Sequence, residues 1–287
     1  LGEKLKIEHA AIVDARNRGG GFMVPYRYAL LMALSLFAAA APACGPYRLA
    51  YRMQPGVYER LPDGTARGTD HEVMQELTRR TGCRFEERVL SSALAWRGLE
   101  QGEIDLIPTA LQTPEREPLA DIVAVIAGRM VLLVRAEQAQ RTPTLALLAA
   151  DAGARVLKLR GAAYPPVVQQ WLEGFSGRVS EAGDLPAALR AFEAGRADAM
   201  PIYPLLLRSE NLPGLERYVV WDLWPGSAIP GGLAMSRKTV SSADRQRLRE
   251  ALHAMVRDGS LQRIVEKYFE PALVRDYLLL KPPALKP

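Results

Sequence analysis

Gly102-Glu-Ile-Asp-Leu-Ile-Pro-Thr-Ala-Leu-Gln-Thr-Pro-Glu-Arg116 is the stretch on which the fold turns. It reads as a helix end at Gly102, a buried strand over residues 104–108, and a loop carrying Arg116 to that strand's C-terminal edge. In open α/β sheets small ligands bind outside the carboxyl ends of the strands. Arg116 is therefore the first candidate for holding a carboxylate, while a surface arginine in a turn accounts for the same local sequence.

Working outward, the N-terminal side gives a strand over 47–51, turns at Pro55-Gly56 and Pro62-Asp63-Gly64, and a helix over 70–81. Asp70 is placed to cap that helix, and Val73, Met74 and Leu77 form its apolar stripe. A strand over 84–89 and a helix over 93–101 complete the unit. Beyond Asp121 come apolar runs at 122–127 and 130–134, then the segment 145–150 and a strand at 154–159. After a turn at Gly161 the reading continues with a helix holding Trp171 and Leu172, a strand at 178–180, a helix at 185–194 and a strand at 197–202. Amphipathic helices over 242–257 and 261–269 close the chain. Strands alternating with helices at this spacing predict an α/β fold built on parallel sheets.

With 287 residues and 48% apolar content, the chain can bury the core of one large domain or of two lobes. Met23-Val-Pro-Tyr-Arg27, the apolar run over 29–41 and the small-residue site Ala41-Pro42-Ala43 supply the three parts of a secretory signal peptide. The run falls short of the ~20 residues that a transmembrane anchor needs. Residues 23–43 are thus read as the signal and residues 1–22 as a segment upstream of it. The net charge is +5, and residues 1–43 hold five bases against three acids, which leaves about +3 for the remainder. So small an excess, with no basic run interleaved with aromatics, implies neither a nucleic-acid nor a membrane partner.

Cys44 and Cys83 are the only cysteines, and in an exported chain an even count points to one disulfide. Both precede predicted strands, which as parallel neighbours in a β-α-β unit bring the two sulfurs to one edge. The rival for Cys44 is lipidation, for which Ala41-Pro42-Ala43 is a poor cleavage context.

Several segments taken in order carry a resemblance. They are Gly68-Thr-Asp70, Leu99-x-x-Gly-Glu-Ile-Asp105, Thr113-Pro-Glu-Arg116 and Arg155-Val-Leu-Lys-Leu-Arg-Gly161. Ala188-Leu-x-x-Phe-x-x-Gly-Arg-Ala-Asp-Ala199, Gly232-Leu-Ala-Met-Ser-Arg-Lys238 and Asp258-Gly-Ser-Leu-x-x-Ile-x-x-Lys-Tyr-Phe269 follow. Each is weak alone, but together they span nearly all of residues 47–269, and the set resembles the periplasmic solute-binding proteins of polar amino-acid ABC transporters. The resemblance implies the type II two-lobe binding fold: two α/β lobes joined by two crossover strands, closing on a ligand by a hinge. Lobe 1 is expected over residues 44–128 plus 232–287, and lobe 2 over 129–231.

The resemblance also implies a pocket. In the amino-acid binders an arginine grips the ligand α-carboxylate, and Arg116 stands at that place, with a fork suited to bidentate recognition. Other positions depart from the pattern. Leu111 stands where a Ser or Thr is usual, although Thr109 keeps a hydroxyl nearby. Arg160-Gly161-Ala162-Ala163 keeps the backbone donors of the second-lobe anion loop but loses its side-chain hydroxyls. Tyr203 lies near the place of the acid that receives the ligand ammonium, and Tyr51-Arg52 where an acid is common. A buried ammonium without its partner costs several kcal/mol. The expected ligand is accordingly a small carboxylate-bearing or anionic molecule rather than an ordinary α-amino acid.

Tyr51, Tyr164 and Tyr203 are read either as packing the body of that ligand or as core. Trp96 is expected on the packed side of its helix, Trp171, Trp221 and Trp224 in core or on the lobe surface, and Trp221-Asp-Leu-Trp224 within reach of a ligand. Gly231-Gly232 is read as a hinge, and Asp105 and Asp198 as structural anchors. The histidines, His9, His71 and His253, have no spacing for a metal site or a nucleophile-base pair, so neither metal nor cofactor is expected. These expectations describe an exported, periplasmic, non-enzymatic and monomeric binding protein that delivers its ligand to a membrane permease. The runner-up readings are a periplasmic enzyme of the cyclohexadienyl-dehydratase kind and a ligand sensor for a membrane signalling partner.

Overall fold

In a computed structural model the described residues are 44–207, 215–224, 226–271, 274, 275 and 278. The expected signal peptide and the segment before it lie outside them. The strands are β1 (Tyr47–Tyr51), β2 (Glu59–Arg60), β3 (Ala66–Arg67), β4 (Phe85–Val89), β5 (Leu106–Leu111), β6 (Ala120–Gly128), β7 (Val131–Arg135), β8 (Val156–Leu159), β9 (Val179–Ala182), β10 (Ala199–Ile202), β11 (Tyr218–Trp221) and β12 (Ile229–Ser236).

Two five-stranded sheets form, one in each lobe. The first has the order β4-β1-β5-β12-β6 and the second β11-β7-β10-β8-β9. In the first sheet β1 runs parallel to β4 and β5, as the alternation predicts, whereas β12 is antiparallel to β5 and β6. In the second, β8 is parallel to β9 and β10, and β7 is antiparallel to β10 and β11. The sheets are thus mixed, because β6 leaves the first lobe for β7 and β12 returns from the second, and these two crossover strands lie side by side in opposite senses.

Each sheet is covered on both faces. Helices Thr69–Thr81, Ser242–Arg257 and Ser260–Glu266 bury Met74, Leu77, Leu248, Leu252 and Leu261 in one cluster of the first lobe. Helix Ser92–Gln101 covers the opposite face through Ala95 and Leu99. In the second lobe helix Leu185–Glu193 buries Leu185, Leu189 and Phe192, while Val168, Leu172, Phe175 and Trp224 form the other layer. A fully buried side chain of these kinds contributes about 1.5–3 kcal/mol.

Two local bonds fix the frame beneath the cleft. Asp105 accepts from the Arg48 backbone N–H (2.7 Å) and from its Nε (2.8 Å) and Nη2 (2.7 Å), locking the approach to β5 against β1. Cys44 and Cys83 form a disulfide spanning 39 residues at the start of β1 and β4.

Some expectations are corrected. Helix Thr69–Thr81 has Gly68 at its N-cap and no side-chain cap, because the Asp70 carboxylate is turned instead onto the Thr109 hydroxyl. Gly231 and Gly232 lie inside β12, where a Cβ would stand 2.5 Å from the Ala110 oxygen and 2.0 Å from the Val123 oxygen respectively. They permit close strand approach at an irregular register within this crossover strand. Trp224 packs in the second-lobe core, its ring 5.7 Å from that of Trp171, and Trp221 packs against the same cluster. β11 and helix Ala136–Arg141 have no counterpart in the sequence reading.

Candidate functional site

The site forms where β5 outruns β1. Leu49 of β1 sits opposite Leu106 of β5, and β1 ends at Tyr51, so Thr109, Ala110 and Leu111 extend past it. Two arginines take the carbonyls of this stretch. Arg52 Nη2 donates to Thr109 O (2.7 Å) and Pro108 O (3.2 Å). Arg116 Nη1 donates to Leu111 O (2.9 Å), and its guanidinium lies 4.4 Å from the Trp96 ring centroid, a cation–π arrangement. Trp96 therefore faces the site and not only its helix's packed side.

Thr109 itself has φ of 48°, a left-handed conformation uncommon for a non-glycine residue and typical of binding sites. Its hydroxyl donates to Asp70 Oδ1. Asp70 is only 4% exposed, and its Oδ2 is buried without a hydrogen-bond partner. Burial pushes this carboxyl up to about 6, against the opposing pull of the Thr109 hydroxyl and the Arg52 charge.

The second lobe meets this wall directly. The Gly161 carbonyl accepts from Ser92 Oγ (2.7 Å) and from Arg116 Nη2 (2.9 Å), a latch between the lobes. Gly161 has φ of +71°, and a Cβ there would lie 2.7 Å from the Ala93 nitrogen, so both conformation and contact call for glycine. Within the second lobe Tyr203 donates its hydroxyl to Ala163 O (2.5 Å), which holds the loop after Gly161. The cavity between the lobes, partly open to solvent, has a volume of about 140 Å³. A void of that order accepts a body the size of a benzene ring.

Of the sequence candidates, Arg52, Thr109, Arg116, Arg160, Ala162, Ala163 and Tyr203 line this cavity. Arg160 stands exposed and pairs with Glu181 at 3.1 Å. Gly161 serves through its carbonyl in the latch. Tyr51 does not reach the cavity: it is fully buried and stacks on Tyr58 at 4.1 Å between centroids. Tyr164 spends its hydroxyl accepting from Leu159 N (2.7 Å), which holds the turn ahead of Gly161. Asp70 and Ser92 are the residues that sequence reasoning missed. An acid beside a glycine at a helix start is explained equally well by capping, and only the contact with Thr109, 39 residues away, separates the two roles.

Electrostatically the first-lobe wall is cationic. Neither Arg52 nor Arg116 forms an ion pair among the described residues, since carbonyls occupy their bonds. Burial first, and then the Arg52 charge, push the Arg116 guanidinium down to about 10. A group desolvated beside a like charge is stabilised by an anion placed against it.

Residues 48–271 match the family model of the bacterial extracellular solute-binding proteins, family 3. The chain belongs to that family. No curated protein sequence matches the chain significantly. Among solved structures, the family 3 chain is similar to a putative L-cystine ABC transporter from Listeria monocytogenes at 20% identity, covering 82% of this chain and 98% of the other, with a TM-score of 0.66. It is also similar to an ancestral amino-acid-binding protein, a precursor of cyclohexadienyl dehydratase (18% identity, 78% and 95% coverage, TM-score 0.64). A histidine kinase sensor domain with similarity to periplasmic binding proteins aligns at 16% identity over 80% of this chain and 98% of its own, with a TM-score of 0.64. At these identities the likeness shows the two-lobe fold. Among the described residues no helix is long and apolar enough to cross a membrane.

Proposed function

We infer that this protein is an exported solute-binding protein that encloses a small carboxylate-bearing or anionic molecule between its lobes and delivers it to an ABC transporter permease. Lobe 1 on this reading comprises residues 44–128 and 232–287, and lobe 2 residues 129–231. The observation that carries it is Arg116: half-buried at a strand's C-terminal edge, stacked on Trp96, in no ion pair, and bonded to carbonyls of both lobes. The test is a thermal-shift screen over amino acids, monocarboxylates, dicarboxylates, aromatic acids and peptides, repeated on Arg116→Ala. An acid that raises the melting temperature of the wild type and leaves the variant unmoved supports the reading. An unaltered shift in the variant overturns the role of Arg116.

One observation favours a second reading. A buried carboxyl held near 6 within the influence of Arg52 is the kind of group that transfers a proton in catalysis. If the protein is a dehydratase on this fold, Asp70 is the acid, and the bound ligand is consumed over time in the wild type but not in Asp70→Asn. A ligand recovered unchanged after long incubation excludes that reading.

A further inference from the structure

The cavity wall carries two guanidiniums where one would suffice for a single carboxylate. Arg52 is anchored on Thr109 O and Arg116 on Leu111 O, two residues apart along β5. At 3.2–3.4 Å per residue those anchors lie about 7 Å apart. The partners are neutral carbonyls, which orient a guanidinium without cancelling its charge. Arg52 also retains an Nε with no hydrogen-bond partner. Asp70 is the acid of this wall. It stands beyond ion-pair distance of either arginine, and one of its oxygens is occupied by the Thr109 hydroxyl. It offsets at most one of the two charges, and burial withholds part of its own. The lining also carries Asp184, whose carboxylate accepts from Ala187 N, and Arg160, paired with Glu181, while Leu111, Val125, Leu159 and Leu185 give it apolar walls.

We propose that the cavity is a two-anion site in which Arg116 receives one acidic group and Arg52 a second, so that the solute is a short molecule with two acidic groups, of the dicarboxylate class. This rests on the reading of the cleft as a solute site and names the chemistry of the solute. The diacid lies along the free edge of β5, each carboxylate against one fork, with its carbon chain on the apolar wall. A monoacid of equal length meets Arg116 alone and leaves the second guanidinium desolvated beside a methyl group.

The test compares succinate with butyrate, and glutarate with pentanoate, by calorimetry on the full chain. A charge-assisted contact of this kind corresponds to about a tenfold or greater preference for each diacid over its monoacid. Arg52→Gln is expected to bring each pair within about threefold, and Arg52→Lys to keep part of the preference. Arg116→Gln is expected to lose both acids. The wild-type ratio needs no variant, so a destabilised Arg52 substitution does not spoil the test. Diacids and monoacids binding the wild type equally overturn the two-anion inference and leave the Arg116 reading standing. Failure of every acid to bind overturns both.

Discussion

Asp70→Asn tests the electrostatics of the site without removing its hydrogen bond. The amide oxygen still accepts from the Thr109 hydroxyl, and the change in volume is negligible, so the variant differs from the wild type chiefly in charge. In the folded protein burial raises the Asp70 carboxyl from 3.8 to about 6. The sign follows from linkage. Below 3.8 the carboxyl is protonated in both states and contributes no pH-dependent difference. As pH rises through the interval up to about 6, the unfolded chain releases its proton first, and folding stability falls. Above that interval the full penalty applies, which at 1.36 kcal/mol per unit amounts to about 3 kcal/mol. Asp70→Asn is therefore expected to match the wild type in urea unfolding near pH 3.5 and to exceed it by up to about 3 kcal/mol at pH 8, at unchanged denaturant slope. A stability difference that does not vary with pH, or a variant less stable at pH 8, would refute the burial argument. An acid retained against such a penalty is what a binding site, rather than a core, would hold.

Gly161→Ala places a methyl group 2.7 Å from the Ala93 nitrogen on a residue with φ of +71°, so closure is obstructed. Strain of about 1–3 kcal/mol at such a position predicts roughly five- to hundredfold weaker ligand binding and a larger radius of gyration by X-ray scattering; an unchanged affinity and radius would show that the latch does not control closure. Replacing Cys44 and Cys83 together by Ala opens a 39-residue loop, with an expected loss of about 4 kcal/mol in denaturant unfolding, whereas equal midpoints would mean that the unfolded chain is not constrained by the bridge.

The frame was legible in the sequence because periodicity reports burial locally. The 242–257 helix matches the observed one end for end, and the buried run of β5 has no polar face to mislead. Boundaries slipped where the deciding force was distant. β5 starts at Leu106 and not at Ile104, because Asp105 turns to receive three bonds from Arg48 before pairing begins. The sheets were expected to be mostly parallel, and the chain that crosses to a second lobe and returns lays β12 against β6 in the opposite sense, a pairing that local pattern does not encode. The site was legible in its cations and illegible in its acid. Arg116 and Arg52 stand at strand ends, where topology predicts ligand contact. Asp70 stands at a helix start, where an acid has an adequate local explanation, and its true partner is Thr109 on another element.

On the proposed reading, Arg116 joins closure to recognition in one side chain. A guanidinium has five N–H donors, and here Nη1 gives one to Leu111 O in the first lobe and Nη2 one to Gly161 O in the second. Three remain, so an acidic group can bind without breaking the latch. The closed arrangement desolvates this cation, which disfavours its charge, and Arg52 of the same lobe adds to the effect. An anion reverses that effect most strongly where water is excluded, which is in the closed state and not in the open one. The ligand thus has a differential affinity for closure, the condition that any ligand must meet to shift a conformational equilibrium. Gly161 contributes the second half of the device, because its carbonyl is available to Arg116 only when the lobes have met. A cleft in which the anion clamp is also the closing contact couples occupancy to shape through one residue, and occupancy-dependent shape is what a downstream membrane partner would read.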